Sequence, residues 1–391
     1  MTTANLLRDR WVGLFGLWTL QTPGKSLVIL GEHHTSPNET THRAVTESSD
    51  HAIYGLMEYL SAAESRDEKV TIYAELSMWN KQNLVNMKKY IDPSTTTFPL
   101  KFSLIERFYQ ELIKGSINET INVNYCNIRH EPPFSLMLMT HISNGFATVY
   151  NQSVPLQLQF TTDEKRAAFV KRRISQFEKA FIKNIHNSEN TIEFWLSLVL
   201  PGTTIPKWYA DIVDELYPMY NTSVNSLKYA LELLKNTHPS DYNLLIEMYT
   251  SVLNEYLKGP KLHTVALAKL QRRVKRYSKA TPALIRDQEK IGNYFGTMLT
   301  WIQDLYVCTY YINSRNTSKH HLFLVGHGHS RFLSWFLSQK ERRQFYGWMT
   351  PDPTKLEIST KSQSTTEGAF AFYDIKREIE RYIADPSPVS V

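Results

Sequence analysis

Cysteine and long apolar runs are both scarce in this chain of 391 residues. Its two cysteines, Cys126 and Cys308, are too few for a disulfide framework or a cysteine-based zinc site. Cys126 lies in an apolar, strand-like run, which favours a buried thiol over a nucleophile. No apolar run approaches the ~20 residues that a membrane-spanning helix needs. The sequence therefore predicts no membrane span.

Charge of one sign is not in large excess either. The chain has 44 Lys and Arg against 38 Asp and Glu, a net charge of +6. Two basic runs, 165–173 and 269–279, fall on predicted helices. Our first interpretation is that they are solvent-exposed helix faces, and our second is that they bind nucleic acid or an acidic surface. Residues 11–20 are apolar but lack a clean signal-cleavage site. We expect a cytoplasmic protein, with secretion or association with a virion as alternatives and the oligomeric state open.

The composition is that of a globular protein, with 42% hydrophobic and 21% charged residues. Apolar runs at 26–30, 70–76 and 121–128 predict strands. Between these strands, apolar residues recur with helical spacing at 40–63 and 102–113, which predicts two helices. The order β, α, β, α, β predicts a central, mainly parallel sheet flanked by helices.

From 161 to 313 the pattern changes to helices alone. Apolar residues recur at three- and four-residue steps, and prolines mark the breaks, which predicts five or six helices. A further apolar run at 322–325 then predicts another strand. We therefore expect an α/β protein in which 1–160 and 314–391 form the core that carries the site, and 161–313 form a large inserted all-helical lobe.

Two short motifs of the same pattern lie near opposite ends of the chain. Residues 26–35 read SLVILGEHHT, and residues 320–332 read HHLFLVGHGHSRF. Each is an apolar strand followed by G-x-x-H, at 31–34 and at 326–329. Because α/β proteins place their sites at the carboxyl ends of parallel strands, we expect the two motifs to lie close together.

The ends of the predicted strands carry groups that bind metals or transfer protons. Two or three imidazoles with a carboxylate are the usual ligands of a catalytic divalent metal, which activates water and polarises a carbonyl. Each residue alone also has a structural interpretation, as a hydrogen-bonded loop histidine or a buried, paired carboxylate. The joint pattern favours a site. Its candidates are Glu32, His33, His34, Glu75, Arg129, His327 and His329.

These motifs resemble those of the TIKI/TraB-like superfamily, which has ChaN-type haem-binding and erythromycin-esterase-like relatives. GEHH at 31–34 is similar to the opening motif of the group. YAEL at 73–76 is similar to the strand that carries the family glutamate, and LVGHGHS at 324–330 is similar to the closing motif. The resemblance covers these short motifs and the order of the elements rather than the full length.

The resemblance implies a metal-dependent hydrolase that cleaves an amide or ester bond in a peptide or small ester. Carried over by position, His34, Glu75 and His329 are the catalytic residues and the ligands of zinc, manganese or cobalt. Glu32 is a base or an orienting residue. Candidate substrate-binding residues are Arg129, whose guanidinium would hold an oxyanion or carboxylate, with His33 and His327.

Other functions remain open at this level. The esterase branch implies histidines and acids that activate water without a firmly bound metal. The ChaN-type branch implies a haem- or metal-binding protein. A third alternative is a non-catalytic scaffold or virion/assembly protein that retains the fold, which the aromatic content of 12% and the basic helices would suit.

Overall fold

The computed structural model describes part of the chain. The described residues are 14–22, 25–32, 60–75, 120–141, 163–216, 225–258, 268–271, 282–326, 329–337 and 346–349, apart from positions 62, 186, 270, 331 and 335. The helix predicted over 102–113 lies outside them. Of the helix predicted over 40–63, only residues from 60 onward fall within them.

A six-stranded sheet forms the centre of the described structure, in the order β4-β3-β5-β2-β1-β6. The four strands β4, β3, β5 and β2 run parallel, and β1 and β6 continue the sheet antiparallel. The α/β class with a mainly parallel sheet is therefore confirmed. The strands are β1 (Leu14–Thr22), β2 (Lys25–Glu32), β3 (Val70–Ala74), β4 (Ile121–Tyr125), β5 (His320–Gly326) and β6 (Tyr346–Met349).

Strand β5 is the innermost parallel strand and pairs with β2 on one side and β3 on the other. Leu324, for example, lies opposite Leu30 in β2 and Ala74 in β3. All seven residues of β5 and all five of β3 are buried. Because parallel strands are covered on both faces, they have continuous apolar runs rather than alternating ones. This explains why both strands could be recognised from the sequence.

The sheet differs from the sequence prediction at three places. Leu14–Thr22 is a strand, whereas the first strand predicted from the sequence begins at residue 26; Pro23-Gly24 between two apolar runs was a hairpin signal. The third predicted strand ends at Tyr125 instead of at 128, because Asn127 caps a 3₁₀ turn at Ile128–His130 by accepting from the backbone N–H of Arg129. Strand β6, only four residues long, was not predicted.

The described residues between β4 and β5 are mostly helical. Their helices are α1 (Pro132–His141), α2 (Asp163–Asn184), α3 (Ser188–Val199), α4 (Lys207–Leu216), α5 (Ser226–Thr237), α6 (Pro239–Lys258) and α7 (Pro282–Ser314). Helices α6 and α7 begin at prolines, which lack the N–H that a first turn leaves unused. None of the helices in the described ranges combines the length and the apolarity needed to cross a membrane.

The chain divides into two compact units, 1–126 with 314–391, and 127–313. The predicted boundaries, 1–160 with 314–391 and 161–313, stay a prediction. Within the second unit, aromatic side chains from four helices contact one another at ring-centroid distances of 5.3–5.7 Å. Such contacts add to the stabilisation that comes from burial alone. The rings belong to Phe177, Phe181, Phe194, Tyr209 and Phe295.

The central position of β5 generates a stability prediction. Leu324 exposes 3% of its surface, whereas Leu233 on α5 exposes 44%. We expect Leu324→Ala to lower the free energy of unfolding by about 2–5 kcal/mol, since it leaves a cavity where a buried side chain was packed. The matched change Leu233→Ala should stay within about 0.5 kcal/mol. Urea unfolding of both variants measures the difference, and equal losses would contradict the placement of β5.

Candidate functional site

The two G-x-x-H motifs begin side by side at the carboxyl edge of the parallel strands. In the register of β2 and β5, Gly31 lies opposite Val325 and Glu32 lies opposite Gly326. The first glycines of the two motifs are therefore one step apart on neighbouring strands. His33, His34 and His327 lie outside the described residues, so the approach of the motif histidines to each other stays a prediction.

Glu75 follows β3 at the same edge and is tied to β5 through both its backbone and its side chain. Its backbone N–H donates to the carbonyl of Leu324 at 2.8 Å, so the ladder continues one residue past β3. Its Oε2 accepts from the backbone N–H of Gly326 at 2.5 Å. The side chain is buried. A buried carboxylate needs such donors. Without them, its transfer out of water costs about 1–3 kcal/mol for each unsatisfied polar group, and more for a charged one.

His329 supplies a second partner for this carboxylate. It is buried, it belongs to the helical residues that follow β5, and its Nε2 lies 3.2 Å from Oε1 of Glu75. Two residues predicted independently as site residues are thus in direct contact, although 254 positions separate them (329 − 75). Glu75 joins the end of β3, the end of β5 and the helical turn that carries His329.

The contact indicates which ring nitrogen of His329 carries the hydrogen. An ionised carboxylate can only accept hydrogen bonds, so the Nε2 that faces Glu75 carries the hydrogen. In the neutral imidazole, Nδ1 is then the nitrogen with the lone pair. That nitrogen is the one that could accept a proton from water or bind a metal ion, while Glu75 orients the ring.

Cys126 is a buried thiol beside this site and not its nucleophile. Its backbone N–H donates to Ala74 at 2.8 Å, and its Sγ lies 3.6 Å from the carbonyl oxygen of Asn124. Burial, followed by the negative charge of Glu75, raises the pKa of its thiol. Since the thiolate is the reactive form, Cys126 is chemically inert in the folded protein.

The remaining candidates are placed only in part. The backbone of Glu32 ends β2 opposite Gly326, but its side chain lies outside what the structure describes. Arg129 is half-buried in the 3₁₀ turn of the second unit, where its Nε donates to Oδ1 of Asn127 at 3.0 Å. Its role as an anion-binding residue stays a prediction.

Gly326 has a part that was not predicted from the sequence, where it was only the first residue of the second G-x-x-H motif. Its backbone N–H is a hydrogen-bond donor to Glu75. A strand that ends in glycine next to a motif histidine was the available signal, since backbone groups at strand ends are unpaired and free to bind side chains.

A metal would find a partial set of ligands here. An imidazole that binds a metal through one nitrogen usually donates from the other to a carboxylate, which is the arrangement of His329 and Glu75. Within the described residues, no group of three or more His, Cys, Asp or Glu side chains could hold a metal ion. The third expected ligand, His34, is not among those residues.

Comparison with known proteins adds no relative: no family model, no curated protein and no solved structure matches the chain.

The burial of the thiols can be tested directly. We expect neither Cys126 nor Cys308 to be alkylated by iodoacetamide at pH 8 in the native protein, because both are buried and the pKa of Cys126 is raised. Both should be alkylated in urea, and intact-mass spectrometry counts the adducts. Native modification of Cys126 at the rate of a small-molecule thiol would overturn its assignment as inert.

Proposed function

We propose that the chain is a hydrolase of the TIKI/TraB-like type, which cleaves an amide or ester bond in a peptide or small ester. The observation that supports this proposal best is the contact between Glu75 and His329 at the edge where both G-x-x-H motifs begin. A buried carboxylate held by a backbone N–H and an imidazole is an arrangement that orients a general base.

In the proposed reaction, Nδ1 of His329 removes a proton from a water molecule. The water oxygen attacks the carbonyl carbon of the substrate, and the protonated imidazole then returns the proton to the leaving amine or alcohol. Glu75 stabilises the protonated imidazole through the Nε2 hydrogen bond and does not itself take the proton. Arg129, His33 and His327 are proposed to bind the substrate, and Glu32 to assist as a base or orienting residue.

The proposal has a second, metal-dependent form, in which the Nδ1 lone pair of His329 binds a metal ion and Glu32 replaces His329 as the base. Nδ1 of His329 and a nitrogen of His34 would hold zinc, manganese or cobalt, with Glu75 behind His329 or as a further ligand. When bound, the metal supplies a water of lowered pKa and a Lewis acid for the carbonyl.

We also propose that residues 161–313 form a helical lobe inserted into the α/β core. The support is that α2, α3, α4 and α7 bury aromatic side chains against one another within a unit of their own. A separately packed lobe can vary its surface without disturbing the strands that position Glu75 and His329.

The first test is turnover of activated esters and fluorogenic peptides by site variants. We expect His329→Gln to reduce kcat by about 10²–10⁴-fold, the usual contribution of a general base. Glu75→Gln should reduce it by about 10–100-fold, the usual effect of losing an orienting carboxylate.

Two substitutions serve as matched controls for this test. Glu64→Gln changes an exposed carboxylate of the same unit, and His238→Gln changes a histidine at the end of α5. Both should turn over like the unmodified protein. If Glu75→Gln and His329→Gln also leave turnover unchanged, the site does not catalyse the reaction, and the scaffold function takes its place.

The metal is tested without reference to activity. We expect zinc, manganese or cobalt to bind at one ion per chain, as measured by elemental analysis after equilibration and gel filtration. His329→Ala should abolish this binding, and Glu75→Gln should weaken it by about 10–100-fold in competition with a chromophoric chelator, since it removes the carboxylate behind a ligand. Metal content that is unchanged in His329→Ala would place the ion elsewhere.

A further inference from the structure

A second cluster of polar groups lies at the amino edge of the parallel strands, the edge opposite the candidate site. His320 begins β5, and Ser26 lies opposite it in β2. Nδ1 of His320 lies 2.7 Å from Oγ of Ser26, and its Nε2 lies 2.9 Å from Oε2 of Glu68, which precedes β3. One imidazole therefore links the starts of three neighbouring strands.

The next residue, His321, makes a similar link on the other face of β5. Its Nδ1 lies 3.1 Å from the hydroxyl of Tyr73 in β3, and that hydroxyl lies 2.8 Å from Oγ of Ser314. The rings of Tyr73 and His321 are nearly parallel, with centroids 6.0 Å apart. The ring of Phe323 also stacks on that of Tyr73, with centroids 4.6 Å apart. His321 is thus fixed by a hydrogen bond and by ring packing.

The hydrogen bonds of His320 are those of a neutral ring. Ionised Glu68 can only accept, so Nε2 of His320 carries the hydrogen. Nδ1 then accepts from the hydroxyl of Ser26. A second proton on the ring would reverse the bond to Ser26 and add a positive charge to a side chain that exposes only 3% of its surface. His321 exposes 1%, so a charge there would be buried as well.

The charges around the two rings do not favour a further cation. Glu68 is already paired with Nζ of Lys319 at 2.5 Å and with Nε of Arg66 at 2.9 Å. Lys25, at the start of β2, is a third cation near His321. The groups that favour protonation are Glu68 for His320, and the backbone of Arg315 and Ser318 for His321.

The order serine, histidine, glutamate also occurs in hydrolytic triads. Here Ser26 exposes 6% of its surface and both it and His320 are held in the register of paired strands. A carbonyl substrate could not approach the hydroxyl without separating β2 from β5. A proton is small enough to enter, so the cluster responds to pH and not to a substrate.

We propose that His320 and His321 form an acid-sensitive latch at the amino edge of the sheet, which keeps β2, β3 and β5 together while both rings are neutral and loosens this edge when they are protonated. The latch would give the protein a conformational response to mildly acidic surroundings. It is independent of the proposed hydrolase function, because no residue of the latch belongs to the candidate site.

The direction and the window of the response follow from the environment of the rings. Burial lowers the pKa of His321 to about 4, with the charge of Lys25 acting in the same direction. Burial also lowers the pKa of His320, although Glu68 partly opposes it. For a histidine whose pKa is lower in the folded state, the neutral fold is fully stable above about pH 6.5 and loses stability as pH falls from 6.5 towards the folded pKa.

Glu68 titrates in a separate window. Burial alone would raise its pKa, but the hydrogen bonds with Lys319, His320 and Arg66 outweigh burial and lower the pKa to about 2. Its stabilising contribution is therefore lost only as pH falls below about 4.5, the pKa of an unperturbed glutamate. Between pH 6.5 and 4.5 the histidines dominate the response of this cluster.

Hydrogen exchange of the full-length protein, followed by mass spectrometry of peptides, tests the latch. After correction for the intrinsic rate, we expect protection of the amides of β2, β3 and β5 to fall on the order of 100-fold between pH 7.5 and pH 4, the effect of one pKa displaced from about 6.5 to about 4. The double variant His320→Gln/His321→Phe should retain most of its protection, since glutamine preserves the hydrogen bonds and phenylalanine the ring packing.

The matched control is His238→Gln, which should leave the fall in protection as it is in the unmodified protein. Should the double variant fail to fold, NMR titration of the imidazole carbons of the unmodified chain decides the question. The proposal is overturned if the double variant loses protection over the same pH range, or if both rings titrate near pH 6.5.

Discussion

The pairing of β5 with β2 and β3 is the constraint on which the rest of the described sheet depends. β2 and β3 do not pair with each other, and both pair with β5, which lies between them. Several of the polar links at the two edges of the sheet begin on β5, namely those from His320, His321 and Gly326. Removing this one strand would leave three antiparallel strands, β2, β1 and β6, and a separate parallel pair, β3 with β4.

The two ends of β5 make different kinds of hydrogen bond, one through the backbone and the other through side chains. At the carboxyl end, the backbone N–H of Gly326 is no longer used by a neighbouring strand and can bind the carboxylate of Glu75. At the amino end, side chains close the edge instead, with His320 between Ser26 and Glu68. Unpaired backbone at a strand end needs such partners wherever water is excluded.

The sequence was informative where burial is uniform. β2, β3 and β5 were recognised because parallel strands covered on both faces are continuously apolar. Glu75 and His329 were recognised because a polar residue at the end of such a run is costly to bury without a partner. The partnership of Ser26 with His320 could not be predicted. It depends on the register of two strands far apart in the chain, and a parallel register has no turn to reveal it. Asn127 ended β4 through its own side chain, which the apolar pattern does not report.

The position of β5 along the chain has a consequence for how the protein is made. Ser26 and His320, which end up opposite each other, are 294 residues apart. During synthesis from the N-terminus, β2 and β3 emerge long before the strand that pairs with them both. The backbone N–H and C=O groups on the edges that later face β5 therefore stay unpaired while the residues between β4 and β5 are translated. A chain with this topology folds slowly and depends on its last quarter, so truncated products would expose sheet edges that aggregate or recruit chaperones.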